Sequence, residues 1–231
     1  MLRVDGLCAY YGESIILKDV SLSVETGKVT CLLGRNGVGK TTFLKSVMGL
    51  VKTPKGSVYL NNEDITQLPT YKRAQKGIGY VPQGRDIFPQ LTVYENLILG
   101  LERSNYKKEF VEDEIFELFP VLKTMLKRKG GELSGGQQQQ LAIARALVSE
   151  PEILLLDEPT EGIQPSIIQD IGRVIKKLKA RGQVTMLIVE QYLEFVMDVA
   201  DYFYVMDKGR IVLNGKVAEI DPKKIQEKIA I

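Results

Sequence analysis

Gly34-Arg35-Asn36-Gly37-Val38-Gly39-Lys40-Thr41 fits the pattern GxxxxGK[ST], and the residues on either side give that pattern a mechanism. Before it, Val29 to Leu33 form a short, nearly unbroken apolar run, which predicts a buried strand. After it, Thr41 to Met48 carry a helical period that stops at Gly49. In a strand-turn-helix of this kind the glycines let the backbone fold around an anion, so that several N–H groups and the positive helix end point at a β-phosphate. Lys40 adds a mobile charge and Thr41 a hydroxyl placed for Mg²⁺. Nucleotide binding follows, but the reaction does not, since such loops serve kinases, GTPases, motors and repair proteins alike.

Outward from the loop, two more apolar runs, Ile153 to Leu156 and Val184 to Val189, read as buried parallel strands, and Ile167 to Ala180 reads as a helix stopped near Gly182. Strand, helix and strand in this order predict an α/β fold with a wound parallel sheet. Leu2 to Val24 and Gly56 to Leu60 alternate instead, which predicts a small antiparallel sheet with one wet face. Near the end, Tyr202 to Met206 and Ile211 to Leu213 flank Asp207, Lys208 and Gly209, a hairpin turn. From about Gly84 to Val148 the pattern is helical, with an acidic entry at Glu109 to Glu117 and a basic exit at Lys123 to Lys129, read as an inserted lobe. The chain is thus expected to be one unit over 1–231, with 1–83 holding the antiparallel sheet and the phosphate-loop part of the core, 84–148 the helical lobe, and 149–231 the rest of the core.

Composition removes several function classes. With 231 residues, 44% of them apolar, the chain can bury one sizeable core but not two independent enzymes. Thirty-one Lys and Arg against 29 Asp and Glu leave a net charge of +2, too small a field to argue for nucleic acid or an anionic membrane. Cys8 and Cys31 lack CxxC spacing and stand in apolar contexts, so both are expected as reduced core thiols in a reducing compartment. No apolar run approaches the roughly 18 residues of a membrane-spanning helix and no signal peptide is expected, so any membrane role is peripheral. Histidine is absent, which excludes His-based triads and His metal ligands and leaves the chemistry to carboxylates, lysine and backbone amides.

The reaction class rests on a second motif. Ile153-Leu154-Leu155-Leu156-Asp157-Glu158 ends a buried strand on two acids, where open parallel sheets place their ligands. Asp157 can hold Mg²⁺ through water, and Glu158 is then free to orient or deprotonate an attacking water. Leu133-Ser134-Gly135-Gly136-Gln137 shortly before this pair, with the phosphate loop upstream, resembles the signature of ABC ATPases over nearly the whole chain. The resemblance implies a RecA-like P-loop core and ATP hydrolysis with Mg²⁺. It implies a head-to-tail dimer in which Ser134, Gly135, Gly136 and Gln137 close on the γ-phosphate held by the other chain. Read alone, the same residues would start a helix capped by Ser134 or a glycine. The resemblance adds Tyr11 stacking on adenine, with Tyr10 as the alternative, and Gln83 reaching Mg²⁺ and the attacking water. Gly37, Gly39, Lys40, Thr41 and Thr42 hold the nucleotide, Thr41 and Gln83 meet Mg²⁺, and Asp157 stands behind them. It also implies that a permease helix docks within Asp86 to Leu99, on Ile87, Phe88, Leu91, Val93 and Leu97, where simple core packing is the plainer reading.

Two positions depart from the common pattern. Gln191 follows Val189-Glu190 where the family usually has a histidine on the γ-phosphate, and Gln164 stands where a common form has an aspartate crossing the dimer interface. Gln191 can still donate a neutral hydrogen bond but carries no charge. These substitutions are similar to the branched-chain amino-acid importer ATPases, in the member of each pair that bears Gln while its partner bears His, which implies a heterodimer. Gln137 to Gln140, Glu161 to Ser166 and Gln191-Tyr192-Leu193 are most similar to the urea-transporting branch. The implied partners are a second ATPase, two permeases and, indirectly, a solute-binding protein, at the cytoplasmic face of the plasma membrane. A soluble ATPase switch on DNA or the ribosome would show fused ATPase pairs, long coiled coils or basic arms, none of which is visible. A subunit that binds ATP without turning it over is suggested by Gln191 and Gln164, and opposed by Glu158.

Overall fold

A computed structural model describes residues 1–104 and 111–230. Two sheets organise the chain. The first is antiparallel, in the order β2 (Ser14–Val24), β1 (Leu2–Tyr11), β4 (Lys55–Leu60), β5 (Glu63–Asp64). The second runs β10 (Arg210–Lys216), β9 (Tyr202–Asp207), β3 (Val29–Leu33), β8 (Thr185–Glu190), β7 (Ile153–Asp157), β6 (Ile78–Val81). Strands β9, β3, β8, β7 and β6 pair in parallel and β10 closes one edge antiparallel.

The apolar runs of β3, β7 and β8 are buried at every residue because the parallel sheet is covered on both faces. Period-two alternation divides each strand between two cores. Cys31, Leu154, Leu156, Met186 and Ile188 face the helices α6 (Gly135–Val148), α7 (Pro165–Arg181) and α8 (Leu193–Val199). Leu32, Ile153, Leu155, Leu187 and Val189 face α1 (Lys40–Val47) and the inner side of the antiparallel sheet. Helix α7 buries Ile171, Val174, Ile175 and Leu178, the i, i+3, i+4, i+7 stripe of an amphipathic helix, with Pro165 at its start and Gly182 in a left-handed cap at its end (φ 65°).

Helix α2 (Thr70–Gln75) precedes β6, and the lobe contains α3 (Val93–Ile98), α4 (Asp113–Leu118), α5 (Pro120–Lys123) and α6, whose Leu97, Phe119, Leu122 and Leu141 join the first core. The acidic entry expected from Glu109 lies partly outside the described residues, and α4 opens on Asp113 and Glu114. Helix does not begin at Gly84. Residues 84–86 take three consecutive left-handed conformations (Gly84 φ 89°, Arg85 φ 76°, Asp86 φ 46°), so the chain stays irregular until Thr92 and Glu95 form a capping box for α3.

One expectation is corrected by the tertiary arrangement and two are made more specific. Cys31 is a core thiol, but Cys8 is only half-buried, because register shifts on both sides of Leu7 in β1 turn it out of the alternation, and its Sγ accepts the Asp19 N–H at 3.4 Å. The terminal hairpin is present as β9 and β10, and it joins the core sheet because β9 is a parallel neighbour of β3. Within the expected docking face Val93 and Leu97 are fully buried core residues, Ile87 and Leu91 are half-buried, and Phe88 is exposed.

Candidate active site

The carboxyl ends of β3, β8, β7 and β6 lie side by side, so the loops leaving them meet along one edge of the sheet. The loop after β3 is 34–39. Gly34 is required by close approach, since a Cβ there would stand 2.5 Å from the Met206 carbonyl oxygen at the end of β9. Gly37 (φ 81°) and Gly39 (φ 114°) are required by backbone conformation, and nothing lies within 4 Å of a Cβ at Gly37. Arg35, Asn36 and Gly37 are exposed, and the Val38 carbonyl accepts the Gly209 N–H at 2.9 Å, so the β9–β10 turn braces the loop. Gly39 offers no side-chain cap to α1, whose first N–H groups have no partner within the helix.

Lys40 is buried and donates through Nζ to the carbonyls of Gly34 (2.9 Å) and Arg35 (3.0 Å). Its ion pair is with Glu158 Oε1 at 3.0 Å, the two side chains being 3% and 6% exposed. Thr41 Oγ1 donates to Asp157 Oδ1 at 3.0 Å, and the Tyr80 hydroxyl lies 3.4 Å from Asp157 Oδ2. Burial raises the Asp157 carboxyl above its ordinary value, against the Thr41 hydrogen bond, which lowers it. Burial, with Asp157 beside it, also raises the Tyr80 hydroxyl. Thr42 is buried in α1 behind them.

Gln83, just after β6, donates through Nε2 to Glu161 Oε2 at 2.8 Å and more distantly to Glu158 Oε2 at 3.5 Å. Lys40, Glu158, Gln83 and Glu161 therefore form one connected group, with Asp157 and Thr41 paired beside it. Gln191 is exposed at the end of β8 and gives its backbone N–H to Glu190. Tyr10 and Tyr11 end β1 and are 36% and 52% exposed, so neither is the core aromatic of a strand.

Ser134 to Gln137 stand apart from this group. Ser134 caps α6 by accepting the Gln137 N–H at 3.3 Å, and Gln137 Oε1 accepts the Ser134 N–H at 2.9 Å, a reciprocal capping box. A Cβ on Gly135 would meet the Arg85 guanidinium at 3.0 Å and one on Gly136 the Ile167 side chain at 2.9 Å. Among the described residues the four share no hydrogen bond with Lys40, Thr41, Asp157 or Glu158.

Sequence reasoning passed over Glu190. It is 1% exposed and accepts hydrogen bonds from the Thr160 N–H (3.1 Å) and Oγ1 (2.7 Å) on one oxygen and from the Gln191 (3.0 Å) and Tyr192 (3.3 Å) N–H groups on the other. It pins the loop after Glu158 to the end of β8. The available signal was an acid ending an apolar strand run beside a position already singled out. Tyr80 was missed for want of any motif.

The residues present fit a polyphosphate with a hard divalent cation: an uncapped helix start, an open glycine turn, a buried ammonium, and oxygen donors from a hydroxyl, an acid and an amide. Among the described residues no group of three or more His, Cys, Asp or Glu could hold a metal alone, so phosphate and water would complete the coordination of such a cation.

Fold and site together define a P-loop ATPase with an inserted helical lobe. The chain belongs to the ABC transporter family, whose model matches residues 17–161. It is an ATPase of the transport-coupled kind. Among its relatives are the high-affinity branched-chain amino acid transport ATP-binding protein BraG of Pseudomonas aeruginosa, 42% identical over 95% of this chain and 94% of that protein, and the probable branched-chain amino acid transport ATP-binding protein LivF of Archaeoglobus fulgidus, 39% identical over 100% and 98%. The lipopolysaccharide export system ATP-binding protein LptB of Haemophilus influenzae is 37% identical over 95% and 92%. Among solved structures, the ATP-binding cassette MJ1267 superposes with a TM-score of 0.82 at 34% identity, covering 99% of this chain and 98% of that one. The cassette MJ0796, solved as a dimer in a post-hydrolysis state bound to ADP and Pi, gives 0.83 at 28% identity over 94% and 99%. Among the described residues no helix is long and apolar enough to cross a membrane.

Proposed function

We propose that this chain is the ATP-hydrolysing subunit of an importer, working at the cytoplasmic face of the plasma membrane with a second ATPase and two permeases, and that the solute delivered by the binding protein is urea. The observation that carries the motor reading is the buried Lys40–Glu158 pair within reach of Thr41, Asp157 and Gln83. The division into 1–83, 84–148 and 149–231 belongs to the same reading.

Phosphoryl transfer asks for positioning and charge stabilisation. The N–H groups of residues 34–42 and Lys40 hold the phosphates, and Tyr11 stacks on the base. Mg²⁺, when bound, stabilises charge on the phosphate oxygens. Thr41 and Gln83 would hold it, with Asp157 behind them accepting the Thr41 hydroxyl at 3.0 Å. Lys40 turns from Glu158 to the phosphate, and Glu158, released, orients the attacking water and takes its proton. Gln191 donates a neutral hydrogen bond at the γ-phosphate. Ser134 accepts at its own cap and keeps its hydroxyl proton to donate to the nucleotide of the facing chain, with the start of the 14-residue α6 behind it. Exposed Phe88, with half-buried Ile87 and Leu91, offers the permease a surface beside Gln83.

Urea is supported by the stretches 137–140, 161–166 and 191–193. A branched-chain amino acid is the second reading, favoured by the names of the 42% and 39% identical relatives. The deciding experiment isolates the complex from gently solubilised membranes and measures Mg-dependent ATPase activity with loaded binding protein. Recovery of a second ATPase and two permeases with stimulation by urea is expected. Stimulation by leucine alone keeps the motor and discards urea, and recovery only with ribosomes or DNA overturns transport.

A further inference from the structure

The loop between β7 and α7 carries a third acid, Glu161, which the mechanism above does not use. Glu158 opens this loop in a left-handed conformation (φ 47°), and the Glu161 N–H returns to the Glu158 carbonyl at 3.1 Å, so the chain folds back over the site. Its position is held from behind, because the preceding residue, Thr160, gives both its N–H and its hydroxyl to the buried Glu190. From there the Glu161 carboxylate takes the Gln83 Nε2 at 2.8 Å, a normal hydrogen bond, whereas the Glu158 carboxylate is 3.5 Å from the same nitrogen and is already paired with Lys40.

A glutamine amide presents a donor and an acceptor from one carbon, so whatever binds its NH₂ decides where its oxygen points. A hard cation takes the oxygen only. We propose that Glu161 is a positioning residue: by fixing the Gln83 NH₂ against loop 158–164 it leaves the amide oxygen turned outward as a ready cation ligand. Without Glu161 the amide keeps, among the described residues, only the 3.5 Å contact to Glu158, which leaves its orientation unfixed. Outer partners that orient metal ligands commonly act on metal affinity in this way. The inference rests on the reading of Gln83 as a Mg²⁺ ligand.

Because Glu161 is exposed, its variants should fold, which thermal unfolding checks. The probe is a fluorescent, non-hydrolysable ATP analogue titrated with Mg²⁺, alongside kcat and the Mg²⁺ dependence of ATPase activity. Glu161→Ala is expected to raise the Mg²⁺ concentration for half-maximal analogue binding about tenfold, with analogue binding in EDTA unchanged. Glu161→Gln keeps an acceptor oxygen for the Gln83 NH₂ and is expected to stay within about twofold of the unmodified chain. An unchanged Mg²⁺ dependence in Glu161→Ala overturns the inference, and so does a Glu161→Gln variant as impaired as Ala, which would assign the effect to charge alone. Failure of the unmodified chain to bind the analogue would overturn the reading of the site and the inference with it.

Discussion

The Lys40–Glu158 pair should be visible as coupled stability in the nucleotide-free protein. At 3.0 Å with both side chains at least 94% buried, the pair is hardly screened by solvent, and an effective dielectric near 20 gives a Coulomb attraction of about 5 kcal/mol before desolvation is charged against it. Removing one partner from a buried pair typically costs about 3–5 kcal/mol because the other charge is left uncompensated. Glu158→Gln should fall at the lower end, about 3 kcal/mol, since Lys40 retains the carbonyls of Gly34 and Arg35. Lys40→Met should reach the upper end, about 5 kcal/mol, since among the described residues Glu158 would keep only the 3.5 Å side-chain contact from Gln83. The double variant leaves neither charge stranded, so its loss should be smaller than the summed singles by about 2–3 kcal/mol. Urea unfolding of the four proteins measures this directly, and at about 2–4 °C per kcal/mol for a chain of this size the singles should also melt visibly lower. Additivity within about 0.5 kcal/mol would refute the reasoning and show that the two charges do not stabilise one another in solution.

Gly209→Ala should lower stability by about 2–4 kcal/mol and weaken nucleotide binding, because a Cβ there would stand 1.9 Å from the Ile16 carbonyl oxygen in the turn that braces Val38. Gly182→Ala, with similar positive φ but open space, should lose only about 1 kcal/mol, and equal melting temperatures for the two variants would contradict the account. Burial raises the Glu190 carboxyl above 4.5, so the folded chain holds this proton where the unfolded chain has released it, and Glu190's contribution to stability falls as pH rises from 4.5 through the raised value. Subtracting the pH–stability curve of Glu190→Gln from that of the unmodified protein should give that falling component, and a rising one would reverse the assignment.

Much of the site was legible because it is local. A glycine turn between strand and helix points backbone N–H groups where an anion can be held, and Asp157 and Glu158 could be placed because open parallel sheets bind ligands at the carboxyl ends of their strands. Strands β3, β7 and β8 were readable from the same feature, since a strand buried on both faces needs no particular partner to look apolar. The four-residue β6 and the sheet position of β9 were not readable. Their residues fit any parallel neighbour, and only packing selects one. Cys8 was misplaced because a register shift moves side chains across a sheet without changing the sequence pattern.

The sequence by itself determined that this chain places a glycine turn between β3 and α1, ends the buried strand β7 on Asp157 and Glu158, and starts α6 on a Ser134–Gln137 cap, because each depends on neighbours within a few residues. Only the tertiary structure decided that Lys40 pairs with Glu158, that Gln83 is held by Glu161, and that a buried Glu190 ties the loop after Glu158 to the end of β8. Those contacts join loops from different strands. Strand order sets which loops meet, and it is chosen by the packing of two cores that no single stretch of sequence contains.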